Sequence, residues 1–320
     1  MHREFSFEEW RARAKPHLRP GDLWRLGPGG LISAAVGLAT GRERHAASAE
    51  GLDARDPELV ELLLDLSRFV GERYFRWKVQ GVEHVPAAGP ALLVGNHNGG
   101  LQTFDSLLTL VAIHDHFGAD RVVHPLAHDL LFHEPRLGEL AVKLGTLRAD
   151  HEAAALALRR GRLVLVYPGS DLDSTRRFAD RHRIELGGRT GFLKLALRER
   201  VPVVPVVSVG THEQFIVLSR GDGLARALGL KRWLRAEVFP IVLSLPWGLT
   251  SGFLPYVPLP AQTSLRFGKP IRFDGLDPDD PAAIAHAYEQ VREQMQAELD
   301  VLAEGRVPFL GDLGALLAGR

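Results

Sequence analysis

The sequence predicts an α/β fold with a mostly parallel central sheet flanked by helices, preceded by an N-terminal helical segment and closed by a C-terminal helix. Three observations predict it. From residue 91 onward, short Val- and Leu-rich runs alternate with segments of helical periodicity, the pattern of a parallel sheet with crossover helices. The runs are apolar at consecutive positions, as strands buried on both faces are. Each of three runs ends in a loop rich in Gly, Asn, His, Ser or Asp, where ligands collect in open parallel sheets.

The elements follow in order. Residues 1–41 read as irregular helix, with an uncharged Leu26–Gly41 stretch as a hairpin or interfacial anchor, and Gly41–Asp56 is polar, a linker. Asp56-Pro57 supplies an N-cap and a proline in the first turn for a helix with Leu59, Leu62, Leu63, Leu66, Phe69 and Val70, running to about Arg73. Ala91–Val94 is a strand. Ala149–Arg160 is a helix capped by Asp150 and stopped by Gly161, followed by the strand Leu163–Tyr167. Thr190–Arg200 is the next helix and Val203–Val209 the next strand; Leu265–Phe267 is a late one. Asp280-Pro281 opens a final amphipathic helix with Ile284, Tyr288, Val291, Met295 and Leu302 on one face. The chain divides into a helical region at residues 1–75, a candidate membrane-interface anchor, and a main domain at 76–320.

Composition narrows the chemistry. The 320 residues are 45% hydrophobic and 24% charged, enough for a substantial core. Lys plus Arg balance Asp plus Glu at 39 each, which argues against a nucleic-acid partner. There is no cysteine, which removes disulfides, thiol nucleophiles and Cys-bound metals. Residues Met1–Trp10 lack the apolar core of a secretory signal. Val238–Leu265 carries no charge, but Pro240, Pro246, Pro255, Pro258 and Pro260 would break a spanning helix. The segment is either a buried strand-and-loop region or a surface that dips into a membrane interface.

Three strand-end loops hold the candidate chemistry: Gly95–Gly100, Pro168–Ser174 and Gly210–Glu213. Parallel, neighbouring strands would bring them to one pocket and make His97 a neighbour of Gly169. His97 has the ingredients of a general base, with an ordinary pKa near ~6.5. It needs a carboxylate to fix its tautomer, and Asp105 is the nearest. Glu213, beside His212, is a candidate supporting partner. Other readings are weaker. His114, His116, His124, His128 and His133 crowd together as in a metal hydrolase, but Pro125 interrupts the His124/His128 spacing and no two-histidine helical motif with a flanking Glu appears. Ser170 lacks the Gly-x-Ser-x-Gly elbow, and P-loop and dinucleotide glycine fingerprints are missing.

Asn96-His97 followed by an Asp resembles the first motif of the PlsC-like glycerolipid (lysophospholipid) acyltransferase superfamily. Gly145-Thr146-Leu147-Arg148 resembles its second motif. Val164–Gly169 resembles its third, usually written Phe-Pro-Glu-Gly, and Gly191-Phe192 with Val201–Val206 resembles its fourth. The likeness runs from about Val79 to Ile271. It implies transfer of an acyl group from acyl-CoA or acyl-carrier protein to a hydroxyl of a lysophospholipid, glyceride or other lipid. His97 would be the base, Asp105 its orienting acid, and no cofactor or metal would be needed. It further implies a substrate site drawn from Asn96, Arg148, Pro168, Gly169, Ser170, Asp171, Arg189, Pro205 and Glu213. Peripheral attachment to the cytoplasmic side of a membrane follows from such substrates. A catalytically degenerate lipid-binding scaffold is the alternative.

Two departures stand out. Gln102 occupies the family's usual position for the acid, and Asp105 lies three residues later. Gly169 stands where the family commonly has Glu, a residue associated with the glycerol-phosphate acceptor; its loss, with Asp171 and Asp173 just beyond, points to a different acceptor, while Arg148 and Arg189 retain the fork that binds phosphate. Arg159, Arg160, Arg176, Arg177, Arg181 and Arg183 form a local basic run, read as solvated charge or as a surface for anionic headgroups or an acidic carrier.

Overall fold

The computed structural model describes residues 5–19, 22, 52–100, 104–233, 238–254, 256–312 and 314. The Leu26–Gly41 anchor candidate, Gln102 and residues 41–51 of the linker candidate lie outside the described residues. Strands β1 (Lys78–Gln80), β2 (Ala91–Gly95), β3 (Val123–Ala127), β4 (Leu147–Arg148), β5 (Leu163–Val166) and β6 (Val203–Val209) enter the central sheet. A small antiparallel sheet of β7 (Ile216–Ser219), β8 (Ile241–Ser244) and β9 (Gly248–Ser251) follows before β10 (Ser264–Phe267) returns to the main one. The seven central strands lie in the order β1–β10–β6–β2–β5–β3–β4, and only β10 runs antiparallel to its neighbour β6.

The three strands that end in the candidate loops are adjacent. β2 lies between β5 and β6, with Val94 opposite both Val166 and Pro205. All three loops therefore leave the sheet at one edge. The apolar runs divide their side chains between two cores. Leu92, Val94, Val164, Val203 and Val207 pack beneath the helices His151–Arg159, Gly191–Glu199 and Pro281–Ala303. Leu93, Leu165, Val204 and Val206 pack with Leu108, Ala112 and Ile113 of the helix Phe104–Phe117 on the other face. Burial on both faces explains why these strands show no polar alternation.

Helix caps follow the chemistry of their first residues. The Asp56 carboxylate accepts from the amides of Glu58 and Leu59, both at 3.1 Å, and opens the helix Pro57–Arg73. Asp150 and Asp280 cap their helices in the same way. The helix Pro57–Arg73 packs Val60 and Leu64 on Val111, and Trp10 of the helix Phe7–Ala14 donates to the Leu62 carbonyl at 2.8 Å.

The sheet contains strands that periodicity does not announce. β3 carries Pro125 at its centre, opposite Leu165, where proline is rare because it cannot donate to the ladder. β1 is exposed throughout. The chargeless Val238–Leu265 stretch holds β8, β9 and turns rather than one buried block: Val242 and Tyr256 are buried, whereas Leu243, Leu245, Trp247 and Leu249 are exposed. Among the described residues no helix is long and apolar enough to cross a membrane.

Candidate active site

β2 delivers His97 to the sheet edge, and the first turn of the helix Phe104–Phe117 presents Asp105 beneath it. The carboxylate is fully buried. Its Oδ2 lies 3.0 Å from His97 Nδ1 and also accepts from the Asn98 amide at 2.8 Å, while Oδ1 accepts from the Ser106 amide at 2.8 Å. Asp105 is thus fixed by backbone donors before it orients the imidazole. His97 is 16% exposed, and its Nε2 meets no partner among the described residues. Burial alone would lower the His97 pKa; the neighbouring charges of Asp105 and Asp173 and the Asp105 hydrogen bond outweigh it and hold the value above that of an ordinary imidazole.

The ring stacks on Tyr167, with centroids 4.6 Å apart. That stack depends on Gly95, because a Cβ there would come within 2.3 Å of the Tyr167 ring. Burial raises the Tyr167 hydroxyl well above its ordinary pKa, so it stays protonated.

The three loops meet through buried polar groups, as parallel adjacency requires. The His97 amide donates to Asp173 Oδ2 at 2.5 Å, joining the first loop to the second. Arg176 pairs with Asp173, reaches Asn98 Oδ1 at 3.2 Å and contacts His212 Nε2 at 2.9 Å, joining both to the third. Asn98 Nδ2 donates to Ser208 Oγ at 2.6 Å, and both ends of the Asn96 amide are taken by the Ser208 backbone at 2.8 and 3.0 Å. Burial pushes the Asp173 carboxyl up to about 6, against the opposing pull of Arg176 and the His97 amide. Burial, reinforced by the Arg176 charge, holds His212 well below an ordinary imidazole, so it is neutral.

The other expected site residues take specific places. Arg189 donates to the carbonyls of Pro168 and Gly169, both at 3.1 Å, and to Asp171 Oδ1 at 3.0 Å, clamping the second loop. Gly169 has no room for a side chain: a Cβ would lie 2.2 Å from the Glu185 carbonyl and 2.3 Å from Asp173 Cβ. Ser170 adopts the left-handed conformation at φ 49° and starts a short helix. Arg148 pairs with Asp129 at 2.5 Å. Pro205 is in mid-strand, its carbonyl accepting from Gly268 at 2.8 Å. Glu213 is buried in a bidentate pair with Arg306, at 2.9 Å on each oxygen, and also accepts from the Phe309 amide at 2.6 Å; it does not reach His212 as a partner.

Asp173, Arg176, His212, Tyr167 and Ser208 complete the constellation beyond the residues singled out for it from sequence. Arg176 corrects the reading of the basic run: it is 2% exposed and belongs to the interior. Arg159, Arg160 and Arg177 pair instead with Glu199, Asp53 and Asp180. The clustered histidines disperse, His114 to Glu61 and His124 to the Gly145 carbonyl, and no described group of His, Asp and Glu could hold a metal ion.

Fold and site together define a doubly wound α/β domain with a carboxylate-backed histidine at its strand ends. Residues 76–209 match the family model described as Acyltransferase. An uncharacterized protein of Mycobacterium tuberculosis is 38% identical over 244 residues, covering 75% of this chain and 65% of the relative. The chain thus spans just under two thirds of the mycobacterial relatives it matches. A human protein named DGAT1/2-independent enzyme synthesizing storage lipids is 28% identical over 202 residues, 62% of this chain and 54% of that one. The crystal structure of the 1-acyl-sn-glycerophosphate (LPA) acyltransferase PlsC from Thermotoga maritima aligns with a TM-score of 0.48 at 18% identity, covering 77% of this chain and 82% of that one.

Proposed function

We propose that the chain is an O-acyltransferase that moves a fatty acyl group from an acyl thioester, on CoA or a carrier protein, to the hydroxyl of a lipid. One observation carries this reading: His97 is held at Nδ1 by buried Asp105 and leaves Nε2 open. Nε2 takes the acceptor hydroxyl proton as the oxygen attacks the thioester carbonyl. The tetrahedral intermediate collapses, the carbon–sulfur bond breaks, and the thiolate recovers the proton from the imidazolium. Asp105 stabilises that imidazolium and holds its tautomer. The scheme uses no covalent acyl-enzyme and no cofactor.

An acceptor without a phosphate fits the site best. Arg148 and Arg189 are each neutralised by their own acid, Asp129 and Asp171. The family's acceptor-linked Glu is replaced by Gly169, whose position cannot hold a side chain. A neutral glyceride or long-chain alcohol is therefore favoured over a lysophospholipid. The name of the human relative, a storage-lipid-synthesizing enzyme, supports a lipid acceptor. Such substrates put the chain at a membrane surface, peripherally, on the cytoplasmic side where these thioesters occur.

The test is a transfer assay with labelled long-chain acyl-CoA and acyl-carrier protein against a mixed lipid extract, read by mass spectrometry. A His97-dependent ester of a neutral lipid supports the reading. No ester product with either donor overturns it, and an acylated lysophospholipid as the sole product overturns the acceptor assignment.

A further inference from the structure

The small sheet of β7, β8 and β9 carries large apolar side chains on both faces. Its inner face buries Val217 and Val242 against Phe215 and Tyr256. Its outer face presents Leu218, Leu243 and Leu249, with Leu243 and Leu249 directly paired across the strands. Leu249 is 69% exposed, and Trp247, in the β8–β9 turn, is 52% exposed beside Leu245. An antiparallel sheet with one face toward water normally places polar residues there. Here β8 and β9 belong to the stretch Val238–Leu265, which contains no charge at all.

Charge instead flanks it. The residues preceding β8, from Asp222 to Trp233, expose Leu224 and Leu228 four positions apart, with Arg226 exposed between them and Lys231 and Arg232 following in the sequence. The Phe239 amide donates to the Arg220 carbonyl at 2.8 Å, tying this basic segment to the edge of the sheet. A chargeless apolar tip beside a basic amphipathic segment is complementary to an anionic bilayer surface: apolar side chains enter the acyl boundary and cations stay among the headgroups. Tryptophan suits that boundary because its ring is apolar and its N–H is polar.

The face is also continuous with the candidate site. Phe215 and Tyr256 stack at 4.3 Å beneath the sheet. The Tyr256 hydroxyl donates to the Gly99 carbonyl, two residues from His97. Gly100 leaves no gap on the other side, since a Cβ there would lie 2.7 Å from the Phe215 ring. The sheet and the cluster of Phe215, Val217, Val242 and Tyr256 thus connect the outer face to the loop that carries the base.

We propose that the outer face of the β7–β8–β9 sheet, with the adjacent basic segment, is the surface by which this protein docks on an anionic lipid bilayer. The proposal rests on the lipid acceptor of the reading above and says where that acceptor is met: at the bilayer boundary, beside His97.

Flotation of the intact chain with phosphatidylcholine vesicles, with and without phosphatidylglycerol, tests it without any thioester present. The wild type should float, more strongly with phosphatidylglycerol. The double variant Leu243→Ser/Leu249→Ser should lose vesicle binding by about tenfold or more while keeping its circular dichroism spectrum and melting temperature. Arg226→Glu should weaken binding to the anionic vesicles alone. His97→Ala should float like the wild type, so failure of docking and failure of the chemistry read out separately. Wild-type protein that stays with the soluble fraction, or a double variant that floats unchanged, overturns the proposal. So does a wild-type dimer that the double variant converts to monomer with flotation unaltered, which would make a second copy the occupant.

Discussion

The two regions that abut at Gly99 and Gly100 invert the usual distribution of polarity in opposite senses. Beneath His97, a set of ionisable and amide side chains is buried: Asp105, Asp173, Arg176, His212, Asn96 and Asn98 are all at most 3% exposed. Across the small sheet, large apolar side chains stand outside. Burying the first set costs stability unless each group is paired, whereas exposing the second forgoes burial and leaves an adhesive surface. Inside, the compensation is visible, because nearly every member finds a partner within the network. Outside, Leu218, Leu243, Leu245, Trp247 and Leu249 stay exposed among the described residues. The contrast teaches that the interior network holds one histidine in place, whereas the outer face is built for contact.

Four changes break or sharpen that contrast, from the largest effect to the smallest. Asp105→Asn should lower transfer by roughly 10²–10³-fold, because an amide cannot stabilise the imidazolium. It should also shift the pH profile. The base must be neutral, so activity falls as pH drops through the His97 pKa, which Asp105 raises; removing that charge moves the acidic limb of kcat/KM to lower pH. Glu213→Gln leaves Arg306 buried without its counter-charge and should cost about 3–5 kcal/mol in a denaturant titration. Gly169→Glu, which introduces the Glu of the motif this loop resembles, should destabilise by about 1–3 kcal/mol and should not create activity on a glycerol-phosphate acceptor, because the loop has no space for the side chain. Leu249→Ser, on the outer face, should change stability by less than about 0.5 kcal/mol while weakening vesicle binding. A large loss of stability there would mean that the face is covered by this chain itself.

The strands that position the site were readable because they are buried on both faces and uniformly apolar. Ala91–Gly95, Leu163–Val166 and Val203–Val209 all fall within a residue of their expected bounds. β3 was not readable, since His124 and Pro125 interrupt its apolar run and only its place beside β5 makes it a strand. β1 was hidden by its exposure, and β8 and β9 by a stretch whose lack of charge reads equally as interior or as interface. In the site, His97 and Asp105 were legible because they lie on consecutive elements at short spacing. Asp173, Arg176 and His212 were not, because their roles arise only where three loops from distant parts of the chain converge. Arg176 in particular is indistinguishable in sequence from its solvated neighbour Arg177, and only the fold turns one inward and leaves the other out.

The central claim is that an imidazole held by a buried carboxylate performs acyl transfer. Its most direct test is the initial rate of ester formation by wild-type protein and His97→Ala, each with unchanged melting behaviour and unchanged vesicle flotation. Loss of roughly 10²–10⁴-fold in the variant is the predicted result. A variant that forms the same ester at the wild-type rate would contradict the account.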